Sequence, residues 1–269
     1  MNYTVDYPLA PFDAVMPATA QNVLLTLVVI ALAAYSVYAL VLTRKYNSAL
    51  PLFLLVGGFA ACLMEPVITH LGHVIHPEIG QISLFKTNNR AIPLHIALIY
   101  PVYFCTAFFA MYSRIHKQSF DAGYVWKSYF ITCVLAYLLE IIPVSIGLWV
   151  YYDNQGLWIW RGGMPLFWTF VNACCVLVSV TLVKICYPLL QGWKAALVII
   201  LVPAGGFMGH FGAGFFIYNV VNSGSPQWLV EVCALLSVFT ALVIVALCAR
   251  LLSNDTRAIA HAAASPAKV

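Results

Sequence analysis

Polar residues interrupt this chain at long, regular intervals. Between the interruptions lie seven apolar runs, near 22–42, 51–76, 94–113, 128–150, 165–187, 195–219 and 227–252. A helix rises about 1.5 Å per residue, so about 20 apolar residues cross the hydrocarbon core of a bilayer. Every run is long enough for one crossing. Pro51, Pro165 and Pro226 sit at or just before run starts, where a missing backbone N–H costs little. The pattern predicts an all-α integral membrane protein built as a seven-transmembrane-helix bundle over residues 22–252. Residues 1–21 form an N-terminal tail and residues 253–269 a flexible polar one.

Composition points the same way. Hydrophobic residues make up 63% of the chain and charged residues 8%. A soluble domain carries roughly 25% charged residues. The eight cysteines all fall inside apolar runs and none forms a CxxC, so they read as small packing residues rather than disulfide or zinc frameworks.

Charge sets the orientation. Arg44, Lys45, Arg114, Lys117, Lys127, Lys184, Lys194, Arg250, Arg257 and Lys268 belong to one set of connections and tails; Lys86, Arg90 and Arg161 belong to the other. Basic residues concentrate on the cytoplasmic side. The expectation is a multi-pass cell-membrane protein with its N-terminus outside and its C-terminus inside. That asymmetry accounts for most of the net charge of +4, leaving no nucleic-acid signal. The first run follows Asp6 and Asp13 without a Lys or Arg, so the basic region of a cleaved signal peptide is missing.

Two connections on the expected outer side are longer, Pro77 to Pro93 and Tyr151 to Pro165. The second, YYDNQGLWIWRGGMP, gathers aromatic residues beside Gly162 and Gly163 and predicts a folded lid over an outward-facing cavity. In the sixth run Gly205 and Gly209 form a GxxxG that permits close helix contact or makes room for a ligand beside His210.

Ionisable groups are costly inside a bilayer, so each one in a span is a functional candidate. Glu65, Glu140 and Glu231 qualify, with His70, His73, His95 and His210 in spans or at their ends. Together with Asn172 they fall in the midplane-to-outer half of the expected bundle, which implies one cavity. The second run reads EPVITHLGHVIHP. At about 100° per residue a continuous helix places Thr69, His73 and His76 near the azimuth of Glu65, and Pro66 can kink it there. Two carboxyls in an apolar pocket suit acid–base chemistry, and aromatic faces can stabilise a carbocation. The expected catalytic residues are Glu65 as proton donor, Glu231 as its partner, and Glu140. His73, His95, Tyr151, Asp153, Trp158, Trp160, Asn172 and His210 are expected to line the substrate site.

The plan resembles the small seven-helix membrane terpene cyclases of meroterpenoid pathways. Those use one acid in the second helix and another near the last, positions that Glu65 and Glu231 match by placement. The stretch GLWVYYDNQGLWIWRGGMPLFW is similar to loops of small membrane carotenoid cyclases and hydratases. The helix-two Glu followed by Pro, and the histidine series, depart from that pattern. The resemblance implies acid-initiated cyclisation or isomerisation of a membrane-dissolved isoprenoid, without cofactor or metal, with membrane lipid and a lipophilic substrate as partners. Oligomeric state is left open.

Three other classes fit the inventory. A small-solute transporter would use midplane carboxylates and broken helices. A ligand-binding membrane protein is another possibility. A metal-dependent hydrolase or oxidoreductase could use His73, His95, His210 and Glu65, since histidine and carboxylate suit several metals. A retinal protein is excluded because the seventh run has no Lys within it.

Overall fold

The computed structural model describes residues 10–160 and 163–264, with side chains as far as Ser253. Seven helical segments are long and apolar enough to cross a membrane, at the places the apolar runs predict. The spans are α1 (Ala18–Tyr46); α2 (Leu50–Ala60) continued by α3 (Glu65–Leu71); α4 (Leu94–Lys117); α5 (Ala122–Ser145); α6 (Phe167–Cys186); α7 (Val198–Val221); and α8 (Gln227–Ala264). Four short strands lie in the loops: β1 (Val74–Ile75), β2 (Ser83–Thr87), β3 (Arg90–Pro93) and β4 (Val150–Tyr151).

Helix ends follow local chemistry. Asn47 stops α1 in a left-handed conformation and its N–H returns to the Thr43 carbonyl. Asp121 caps α5 by accepting the Tyr124 N–H at 2.8 Å. The last helix passes the expected boundary at residue 252 and continues to Ala264. The remainder of the expected tail, residues 265–269, and most of the N-terminal tail, residues 1–9, lie outside the described residues, as do Arg161 and Gly162.

The second span departs from a single straight helix. Residues 61–64 tighten into a 3₁₀ turn between α2 and α3, and Pro66 falls in the first turn of α3. Proline cannot donate back along the helix, so the break sits beside it. The span ends at Leu71, earlier than the apolar run suggests. His73 adopts a left-handed φ of 51° and turns the chain out of the helix. His73 and His76 therefore do not continue a helical face from Glu65.

At that end of the bundle, β1 pairs antiparallel with β4, joining Val74 to Tyr151 and Ile75 to Val150. This ties the loop after the second span to the loop after the fourth. β2 and β3 form a hairpin whose two turn residues, Asn88 and Asn89, both have positive φ, as a two-residue hairpin turn requires.

α6 is the most enclosed span, packed by α5, α7 and α8 and more lightly by α4. Gly205 and Gly209 of α7 lie directly on it. A Cβ at Gly205 would meet the Ser179 backbone at 2.6 Å, and one at Gly209 the Cys174 carbonyl at 2.8 Å. The GxxxG thus serves close packing. α1 packs on α2 and α4, whereas among the described residues α4 and α5, neighbours in sequence, approach each other less closely along their backbones than either approaches α6. Arg114 ties them at their joined ends, 3.2 Å from Asp121 and 3.8 Å over the Tyr124 ring.

Candidate active site

Beside the break at residues 61–64 lies a cavity of about 120 Å³, lined from the second span, α4, α5, α6 and α7. Glu65 and Glu140 both line it, from different spans. Its walls are largely aromatic: Tyr100, Tyr103 and Phe104 from α4, Trp149 and Tyr151 from the β4 region, and Trp168 from α6.

The Glu65 carboxylate has two partners. One oxygen lies 2.8 Å from His76 Nε2, and the other accepts a short hydrogen bond from the Tyr100 hydroxyl. The chain turn at His73 and strand β1 carry His76 back over Glu65. The sequence places His76 only near the azimuth of Glu65 on a continuous helix; the contact itself is made by loop geometry rather than by a helix face. His76 Nδ1 is buried and has no hydrogen-bond partner among the described residues. Thr69 also lines the cavity, its hydroxyl donating to the Glu65 backbone carbonyl at 2.8 Å.

Glu140 accepts three hydrogen bonds. Trp149 Nε1–H and the Tyr151 hydroxyl donate to one oxygen at 2.9 and 3.0 Å, and Asn172 Nδ2 donates to the other at 3.2 Å. Trp149 and Tyr151 are two residues apart in extended chain, so both reach the same side. With its amide nitrogen turned to Glu140, Asn172 offers its oxygen to His210 Nε2 at 3.0 Å. His210 Nδ1 then accepts from the Tyr218 hydroxyl at 2.8 Å. The chain Tyr218–His210–Asn172–Glu140 fixes the imidazole tautomer and holds the carboxylate in place. Burial, and after it the charge of Glu140, push the Tyr151 hydroxyl well above the usual phenol range, so Tyr151 stays a donor.

Other expected site residues lie elsewhere. Glu231 does not line this cavity. One of its oxygens accepts the Leu157 backbone N–H at 2.7 Å and the other the Gln227 side chain at 2.8 Å. It fastens the loop after the fourth span to α8. Trp160 is 41% exposed and Trp158 pairs through its backbone with Pro165, so neither walls the cavity. His73 and Asp153 pair with each other at 3.2 Å, and Asn222 Oδ1 lies 3.2 Å from the other His73 nitrogen. Burial pulls the His73 pKa below the ordinary histidine value, against the opposing pull of Asn222 and Asp153. His95 is buried with neither ring nitrogen hydrogen-bonded. Among the described residues no three His, Cys, Asp or Glu side chains are placed to hold a metal ion, so the set His73, His95, His210 and Glu65 is not assembled as one.

Sequence reasoning missed Tyr100, Tyr103 and Phe104, although their i, i+3, i+4 spacing marks one helical face. It also missed Trp149 and Trp168. Aromatic residues at bilayer depth are ordinary, and only the cavity distinguishes these. No protein family, curated protein or solved structure matches the chain.

Proposed function

We propose that the chain is a membrane-embedded enzyme that protonates a lipophilic isoprenoid and directs its cyclisation or isomerisation. The observation that carries this reading is the convergence of Glu65 and Glu140, from separate spans, on one aromatic-walled cavity. Charged or acidic groups at this depth are expensive and serve a purpose when they face a shared space.

The roles follow from the partners. Glu65 and His76 share a proton across 2.8 Å, so the pair can deliver one to an alkene or epoxide and recover it. Tyr100 fixes the second oxygen of Glu65. The ring faces of Tyr100, Tyr103, Phe104 and Trp168 offer negative potential to the carbocation that follows. Glu140, held by three donors, keeps its negative charge facing the cation, and the closing proton returns to the Glu65–His76 pair. A cavity of about 150 Å³ holds a benzene-sized group. At about 120 Å³ this one takes the reacting end of a chain, and the remainder lies outside it.

The test is turnover of membrane isoprenoids by purified protein, with products read by mass spectrometry. Glu65→Gln keeps the shape and removes the transferable proton. It should cost roughly 10²–10⁴-fold in rate, as loss of a general acid does, with the melting temperature little changed. Full turnover by that variant would refute the acid assignment. Movement of a solute across vesicles without any chemical product would favour a transporter.

A further inference from the structure

A second cavity, of about 730 Å³, opens at the hairpin end of the bundle, between the end of α7, the hairpin and the N-terminal segment. Its polar end is built around Arg90, the first residue of β3. Arg90 is only 5% exposed. Nη1 donates to the Asn89 carbonyl at 3.2 Å and Nη2 to the Tyr152 hydroxyl at 2.8 Å, while Nε is buried and has no partner among the described residues. Among the described residues no carboxylate lies within ion-pair distance of it. The nearby acids are engaged otherwise, Asp153 with His73 and Glu78 with Lys86.

A guanidinium removed from water is normally matched by an anion, because its hydration is otherwise lost without return. The Phe12 ring, 5.4 Å from the Arg90 guanidinium carbon, is a weak substitute. His70 and Asn89 line the same cavity and add further polar atoms. Phe211 and Phe215 of α7 form an apolar part of its lining, and Phe215 is 59% exposed. On a membrane-spanning helix such a face meets acyl chains.

We propose that this cavity is a binding site for the phosphate of an anionic amphiphile. Arg90 holds the phosphate oxygens, His70 and Asn89 complete the polar end, and the acyl chain lies along Phe211 and Phe215. An arginine fork suits phosphate oxygens in this way. The site is separate from the Glu65 cavity and does not depend on the chemistry proposed there.

The test uses the purified full chain in neutral detergent at constant ionic strength. Dioctanoyl phosphatidylglycerol, dioctanoyl phosphatidylcholine and inorganic phosphate are titrated separately, and the melting temperature is followed. Phosphatidylglycerol should raise it saturably, and the two others should not. Arg90→Gln should weaken that binding roughly tenfold or more, the loss expected for a hydrogen-bonded charge pair. An equal rise with phosphatidylcholine, or undiminished binding by Arg90→Gln, would overturn the proposal. An Arg90-dependent rise with inorganic phosphate alone would overturn the amphiphile as occupant. Should Arg90→Gln fail to fold, Arg90→Lys and His70→Gln carry the same comparison, and undiminished binding in both again overturns it.

Discussion

Single residues divide sharply into those whose place follows from chain position and those that a loop delivers. Glu65 and Glu140 sit inside apolar runs, and their cost in lipid marks them from the amino-acid sequence alone. Glu231 carries the same mark, yet it serves as a tether, accepting a backbone N–H from the loop at Leu157. Depth along a helix does not reveal azimuth, and azimuth decides which acid faces the cavity. This gives a contrast between two isosteric changes. Glu140→Gln should slow turnover by at least tenfold, because the amide presents a donor where three donors converge. Glu231→Gln should lower the melting temperature by weakening the loop attachment, while the surviving protein keeps its turnover. The reverse outcome would restore Glu231 as the catalytic partner. His73 makes a different claim. Its pKa is lowered by burial, so the unfolded chain takes up this proton first, near the ordinary histidine value of about 6.5. Stability is therefore full above that pH and declines as pH falls from there toward the lower folded value. Melting curves between neutral and acid pH should show this slope. In His73→Asn it should be shallower, and an unchanged slope would assign the effect to other groups.

At the scale of elements, the seven spans were legible because a bilayer allows so few backbone solutions. Every polar backbone group must be satisfied within the segment, so an apolar run of this length is a helix. The break in the second span was half legible. Pro66 announced a kink, but nothing in the sequence said that the helix would end at Leu71 or that His73 would turn left-handed. That termination brings His76 back onto Glu65, a contact that the sequence does not announce. The strand pairing that seats Tyr151 was not legible either, since two-residue strands leave no periodicity. The α6–α7 interface is the opposite case, where two glycines four apart mark a close approach. Gly209→Leu would drive a side chain into the Cys174 carbonyl and the Cys175 backbone. Overpacking of this kind costs roughly 1–3 kcal/mol. Backbone offers no flexible end to move aside, so the upper part of that range is expected. Melting temperature in detergent reads it, and an unshifted value would show that α6 and α7 can separate without penalty.

For the molecule as a whole, the proposed function raises the question of how a water-insoluble substrate would reach acids inside the bundle. The loop end is closed over the cavity by the β1–β4 pair and by Trp149 and Tyr151, which are themselves bonded to Glu140. The opposite end holds α4 and α5 together through Arg114. Between these closures residues of both helices, Ile99 and Tyr103 on one and Ala136 and Leu139 on the other, line the cavity. Under the proposed function, entry from the side between α4 and α5 is the route to test, since it suits a molecule that partitions into lipid. Leu139 sits on that route, 37% exposed and still part of the cavity wall. Leu139→Trp adds an indole where a chain must pass and touches none of the hydrogen bonds around Glu65 or Glu140. It should lower kcat/KM for a long isoprenoid by about tenfold or more, the equivalent of roughly 1.4 kcal/mol in the barrier. A truncated analogue that fits wholly within the cavity should lose much less. Melting temperature should stay the same, because the indole replaces lipid contacts rather than core packing. If long and short substrates lose rate equally, the gap between α4 and α5 is not the entrance. The substrate must then arrive through the loop end, and the β1–β4 pair would have to open to admit it.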